Sequence, residues 1–266
     1  MPVTKIRGIQ LAYDDLGKEN RNVIVFVHGH PFNRSMWKYQ VAHFSTDYRL
    51  VLPDLRGYGE TEAATPKTLL DEMALDLSHL LDELNIDQAL FCGLSMGGQI
   101  VLDFYRLFPH KVKAMIIADS DARAESPESY SRRLQLAETI LRDGMKQHTD
   151  DTLHQYIAET SRTQTAMVAH LYDMMSTNRA EGAAAAHRGR AERRDHLPIL
   201  PSIRIPTLII VGEEDYFTPL PIAALMHDAI PNAELVCIPA SGHLPNMEAP
   251  EPFNHTLHSF LKRNSL

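Results

Sequence analysis

The sequence predicts an α/β fold: a mostly parallel sheet covered by helices, with a helical insertion between two parts of the sheet. Three observations carry this reading. Short, continuous apolar runs such as residues 23–27 (VIVFV) and 206–211 (PTLIIV) suit strands buried on both faces, as a covered parallel sheet requires. Segments with apolar residues at helical spacing lie between them. From about residue 123 to 197 the strand rhythm stops and only helical pattern continues.

The elements follow in order. Residues 3–7 and 9–15 alternate enough for a hairpin around Gly8. Residues 23–27 form the first buried strand and lead into the loop His28-Gly29-His30-Pro31. Residues 49–53 form the next strand, followed by the glycine-rich turn Asp54-Leu55-Arg56-Gly57-Tyr58-Gly59. Thr65-Pro66 has the look of a helix start, a capping hydroxyl followed by proline in the first turn. Leu69, Leu70, Met73, Leu77, Leu80, Leu81 and Leu84 then give an amphipathic helix. Strands at 89–92 and 113–118 flank a helix at 97–108. Such alternation implies right-handed crossovers and parallel pairing. Ser126-Pro127 opens the helical insertion. Strands at 206–211 and 233–238, a helix near 219–229 and a closing helix at 251–263 complete the chain. The expected division is a core of residues 1–122 and 198–266 with a helical cap, or lid, at 123–197. The cap should lie over the carboxyl ends of the strands, where open α/β sheets bind ligands.

Composition narrows the function. The chain has 266 residues, 44% of them hydrophobic, enough for one sizeable core. Its 26 basic and 34 acidic residues give a net charge of −8, and no basic stripe points to nucleic acid. The basic residues between Arg188 and Arg194 read as a solvated helix face. Cys92 and Cys237 lie in apolar runs and read as buried thiols, neither disulfide nor metal site. No segment approaches a membrane span or a signal peptide, so a soluble cytoplasmic protein is expected.

The chemistry centres on Gly93-Leu94-Ser95-Met96-Gly97. It follows a buried strand directly and opens a helix, the setting in which such a serine is exposed on a sharp turn. A serine hydroxyl needs a base to take its proton. Among fourteen histidines, His243 stands out, because it follows the last strand in a loop that can reach the serine. His255 and His258 fall inside the closing helix. The base needs an acid to orient it. Asp215 follows the 206–211 strand, with Glu213, Glu214, Asp119 and Asp121 as alternatives. The backbone N–H of Met96 is one expected oxyanion donor. The other comes from the loop after residues 23–27, where Pro31 has no N–H, leaving His30 as first choice and Phe32 as second. Phe32, Met167, Met174 and Leu244 are candidates for the substrate pocket, Met167 and Met174 sharing near-helical spacing with Met175 in the insertion. The same Met residues also read as lid-to-core packing. His28 reads as a brace for its loop.

These segments together resemble the α/β-hydrolase superfamily over nearly the whole chain. The match runs through His28-Gly29, Trp37, Asp54-x-Arg56-Gly57-x-Gly59, Gly93-x-Ser95-x-Gly97-Gly98, Asp215-x-x-Thr218-Pro219, Gly242-His243 and the tail Glu248-Ala-Pro-Glu-Pro-Phe253. Within it, residues 119–128 are similar to the small bacterial carboxylesterases and the 3-oxoadipate enol-lactonase-like group. The resemblance implies an eight-stranded, mostly parallel sheet with the lid after the sixth strand. It implies the order Ser95, Asp215, His243, no metal and no organic cofactor, and a small-molecule ester or lactone as substrate. A cis His30–Pro31 bond, aiming the His30 N–H into the oxyanion hole, is a further expectation. A serine nucleophile disfavours dehalogenase and epoxide hydrolase chemistry. Carbon–carbon bond hydrolysis of a vinylogous diketone, cofactor-free perhydrolysis, and a ligand receptor with little turnover stay open, as does the oligomeric state.

Overall fold

A computed structural model describes residues 2–62 and 65–266. Its sheet has eight strands: β1 (Val3–Ile6), β2 (Ile9–Leu16), β3 (Val23–Val27), β4 (Arg49–Pro53), β5 (Ala89–Leu94), β6 (Val112–Ala118), β7 (Thr207–Gly212) and β8 (Glu234–Ile238). They run in the order β1-β2-β4-β3-β5-β6-β7-β8. β2 pairs antiparallel with β1 and β4, and every other pairing is parallel. The helices are α1 (Lys38–Phe44), α2 (Leu70–Glu83), α3 (Met96–Leu107), α4 (Pro127–Thr152), α5 (Thr165–Ser176), α6 (Ala180–Ala191), α7 (Leu220–Ala229), α8 (Pro245–Glu248) and α9 (Pro250–Arg263).

The strand sequences explain the layering. Successive side chains on a strand face opposite sides. Val25, Val27, Phe91, Ile117, Ile209 and Val211 therefore join Leu77, Ile100 and Met226 of α2, α3 and α7 in one core. Ile24, Phe26, Leu90, Cys92, Ile116, Leu208 and Ile210 join Phe44, Leu257 and Phe260 of α1 and α9 in the other. Every residue of β3, β5 and β7 is buried. Each Val, Leu, Ile or Phe among them contributes roughly 1.5–3 kcal/mol of hydrophobic stabilisation before the entropy of ordering is counted.

Helices α4, α5 and α6 fill the interval between β6 and β7. α4 is interrupted at Gly144, whose φ of 83° leaves the helical region. α6 lies directly on the core: a Cβ on Gly182 would stand 1.8 Å from the Gly57 carbonyl oxygen. The neighbouring run Ala183–Ala186 is buried for the same reason, small side chains allowing close approach. Among the described residues no helix is long and apolar enough to cross a membrane.

Three expectations need correction. α2 begins at Leu70 and not at Thr65-Pro66, because the Thr65 hydroxyl donates to the Lys67 carbonyl (2.5 Å) while Glu72 accepts the Leu69 N–H (2.8 Å) and closes the first turn. Cys237 is exposed, since β8 is an edge strand covered less completely than its neighbours. The basic cluster is no solvated face: Arg190 is buried, and Arg193 turns inward to Asp121 and Glu125.

Candidate active site

β5 delivers Ser95 to the carboxyl edge of the sheet. Ser95 sits at φ 56°, ψ −117° as the residue before α3. A non-glycine residue held there costs of order 1–3 kcal/mol, so the surroundings must impose it. They do: the Ser95 N–H donates to the Ala118 carbonyl (2.9 Å), and the Ser120 hydroxyl donates to the Ser95 carbonyl (2.7 Å). The first turn of α3 also packs against β3 so tightly that a Cβ on Gly97 would stand 2.1 Å from the Val27 carbonyl oxygen.

Asp215 follows β7, and His243 follows β8. His243 Nδ1 donates to Asp215 Oδ1 (2.8 Å), and both side chains are buried. The same carboxylate accepts the Phe217 N–H (2.9 Å) and the Thr218 hydroxyl (2.5 Å). Burial alone would raise the Asp215 pKa. The His243 imidazole, with the Thr218 and Phe217 bonds, outweighs that and holds the carboxyl down at about 2. Asp119 lies in the same cluster, with ligand atoms of Asp119, Asp215 and His243 all within 4.8 Å of one another. It accepts the Gly212 N–H (2.8 Å), and burial together with the Asp215 charge pushes its carboxyl well above the ordinary range. Asp121 is engaged by Arg123. Among the four rival acids, none takes the His243 bond.

No hydrogen bond joins Ser95 to His243 among the described residues. They belong to one wall nonetheless. Gly29 abuts Ser95, a Cβ there lying 3.2 Å from Ser95 Cβ and 3.3 Å from the Phe32 ring. Phe32 meets Tyr156 edge-on (5.3 Å between ring centres), and Tyr156 and Phe217 flank His243 at 5.9 and 5.0 Å. Catalytic contacts are often open in unliganded enzymes and tighten with substrate.

The loop after β3 is held from three sides. His28 Nε2 accepts the Leu55 N–H (2.9 Å), bracing this loop against the one after β4. Tyr58 hydroxyl and His30 Nδ1 lie 2.6 Å apart. Asn178, between α5 and α6, donates to the Pro31 carbonyl (2.6 Å) and accepts the Gly59 N–H (3.2 Å). The His30–Pro31 peptide is cis. The Phe32 N–H is engaged with the Gly29 carbonyl (3.1 Å), whereas among the described residues the amides of His30 and Met96 make no such bond. On the other side, Glu248 anchors the His243 loop by accepting the N–H groups of Ala158 (2.8 Å), Gly242 (2.9 Å) and Leu244 (3.1 Å).

Phe32, Met167, Met174 and Leu244 lie in one buried apolar cluster with Tyr156. Tyr156 and Asn178 escaped the sequence reading, since an aromatic or amide in a helical insertion carries no motif, and so did Phe217, which sits beside Asp215 in the loop after β7. Glu248 was visible only as part of the tail pattern.

Comparison with known proteins agrees with this fold. The sequence model for the alpha/beta hydrolase fold matches residues 22–250. A 3-oxoadipate enol-lactonase of Acinetobacter baylyi is 31% identical, with 98% of this chain and 96% of that protein aligned. The structure of a thermophilic esterase from Thermogutta terrifontis, solved with malate bound, superposes with a TM-score of 0.95 at 32% identity over 99% of each chain. The enol-lactonase of Burkholderia xenovorans gives 0.91 at 28% identity over 98% of this chain and 100% of that one. The chain belongs to the alpha/beta hydrolase fold family.

Proposed function

We propose that this protein is a serine hydrolase that cleaves a small carboxylic ester or lactone through an acyl-enzyme on Ser95. The observation that carries the reading is the buried His243–Asp215 hydrogen bond at the sheet edge that also holds the strained Ser95 turn. The esterase and the enol-lactonases similar to this chain support the class of bond cleaved.

In this mechanism His243 Nε2 takes the Ser95 proton as Oγ bonds to the substrate carbonyl carbon. The oxyanion accepts from the N–H groups of Met96 and His30, the Phe32 amide being engaged within its own turn. The carbon–oxygen bond to the leaving group breaks, and His243 returns the proton to that oxygen. Water then attacks the acyl carbon, giving its proton to His243, which passes it back to the departing Ser95 oxygen. Residues 123–197 act as a cap over a core of residues 1–122 and 198–266, and Phe32, Met167, Met174 and Leu244 line the acyl pocket. Cys92 and Cys237 are both unpaired, in keeping with a cytoplasmic setting.

Ser95→Ala is expected to abolish hydrolysis of p-nitrophenyl acetate and butyrate while keeping the folded circular dichroism spectrum. His243→Ala should behave alike and His255→Ala should not. Wild-type turnover by Ser95→Ala refutes the assignment.

A further inference from the structure

Among the described residues eight large hydrophobic side chains are exposed, and four of them, Tyr216, Phe217, Leu220 and Leu225, lie between positions 216 and 225. The segment 216–226 (YFTPLPIAALM) carries no charge. Single exposed hydrophobics are ordinary, but a cluster of them beside a reacting centre marks a binding surface. This cluster begins at the residue after Asp215, in the loop between β7 and α7. The Phe217 ring stands edge-on to His243 at 5.0 Å and packs against Tyr156 at 4.8 Å, centre to centre. It stays 38% exposed nonetheless. Tyr216, 71% exposed, meets Phe217 edge-to-face at 5.3 Å.

The reaction fixes which part of the substrate meets this cluster. The leaving oxygen takes its proton from His243, so it must come within hydrogen-bond reach of that ring. The carbonyl oxygen is held elsewhere, by the amides of Met96 and His30 in the mechanism above. The group attached to the leaving oxygen therefore starts beside whatever flanks His243. Two aromatic rings do so: Tyr156, which is buried, and Phe217. Of the two only Phe217 leads to solvent, with Tyr216 beyond it. The loop is also tied to the triad, since the Phe217 N–H (2.9 Å) and the Thr218 hydroxyl (2.5 Å) both donate to the Asp215 carboxylate. Rings placed in this way seat another ring edge-to-face or offset-stacked, each pair gaining beyond the area it buries.

We propose that Phe217, with Tyr216, binds the leaving group, so that the ester opened at Ser95 carries an aromatic ring on its alcohol side. The bond between acyl carbon and alcohol oxygen breaks, and the alcohol leaves neutral with the proton from His243. The acyl group stays on Ser95 Oγ until water releases it as the acid. The role of the ring as leaving group rests on the serine hydrolase reading; the ring-binding subsite at Phe217 does not.

Two measurements keep these apart. Benzyl acetate and 2-methoxyethyl acetate release alcohols of similar acidity and leave the same acetyl-enzyme, so the ratio of their kcat/KM values reports the alcohol side alone. The wild type is expected to favour the benzyl ester by roughly tenfold, the worth of one or two aromatic pairs. In Phe217→Ala that ratio falls toward one. In Tyr216→Ala, which removes a ring the fold hardly buries, it falls about threefold with the melting temperature unchanged. Val3→Ala, exposed on the strand at the opposite edge of the sheet, keeps the wild-type ratio. The second measurement is saturation-transfer NMR of benzyl alcohol with Ser95→Ala, whose ring-proton signal is expected to disappear when Phe217→Ala is added. Binding of this kind in a protein that hydrolyses neither ester leaves the subsite standing and removes the hydrolase reading. Hydrolysis of both esters with equal kcat/KM, or a ratio unchanged in both Phe217→Ala and Tyr216→Ala, overturns the subsite and leaves the hydrolase reading standing. A dimer that Tyr216→Ala abolishes while the ratio keeps its wild-type value assigns the cluster to a second copy of the chain, and overturns the subsite too.

Discussion

Asp215→Asn removes a charge and almost nothing else. Asn retains an oxygen where Oδ1 accepts from His243 (2.8 Å) and from the Phe217 amide (2.9 Å), and its NH₂ meets the Thr218 oxygen, which can accept. What disappears is the carboxylate that stabilises the protonated imidazole during proton transfer. Its worth follows from the Asp215 carboxyl held at about 2 against an ordinary 3.8, a gap worth on the order of 2 kcal/mol. kcat/KM for p-nitrophenyl acetate should therefore fall by more than about tenfold. The melting temperature at pH 7 should move by only a few degrees. A pH series supplies the sign: with its folded pKa lowered, Asp215 contributes stability that is present above pH 3.8 and lost as the pH falls toward 2. The difference in stability between wild type and variant should shrink over that window. Activity within threefold of wild type, or a larger loss in Asp119→Asn than in Asp215→Asn, refutes the assignment of the acid.

Glu248→Gln sets an amide NH₂ against at least one of the three N–H donors of Ala158, Gly242 and Leu244; it should cost about 1.5–3 kcal/mol of stability and lower kcat with little change in KM, measured by thermal melts and steady-state kinetics. Gly97→Ala places a Cβ 2.1 Å from the Val27 carbonyl oxygen, and this variant should fail to fold or lose at least about 4 kcal/mol by urea denaturation. Met174→Ala should shift the preferred p-nitrophenyl ester toward longer acyl chains; lowered stability with an unchanged chain-length profile assigns Met174 to packing alone.

The features legible in the sequence were those with a strong local cause. Residues 23–27 and 206–211 are apolar on both faces, and a segment of that kind has few places to go except the middle of a covered sheet. Gly97 and Ser95 mark a turn that few other residues tolerate, so the sequence around them carries the strain visibly. Thr65-Pro66 failed because a capping hydroxyl needs the chain to turn immediately after it, whereas Glu72 reaches back to cap the helix further on. Arg190 failed for a different reason. Its spacing from Arg188 and Arg193 is that of a surface helix, and it is the packing of α6 against the turn around Gly57 and, through Gly189, against Thr68 that buries one side of that cluster. Cys237 shows the converse: an apolar run says strand, but not whether that strand lies at the edge. Tyr156 and Tyr58, which meet His243 and His30, do so only through tertiary contacts between distant segments.

The central claim, a nucleophilic Ser95 driven by His243, is tested most directly by covalent trapping. A fluorophosphonate that mimics the tetrahedral intermediate is incubated with the protein, and the adduct is located by intact-mass measurement and peptide mapping. The account predicts one equivalent bound on Ser95, loss of ester hydrolysis in proportion to labelling, no adduct in Ser95→Ala and much slower labelling in His243→Ala. A stoichiometric adduct on another residue, or full esterase activity in protein labelled at Ser95, contradicts it.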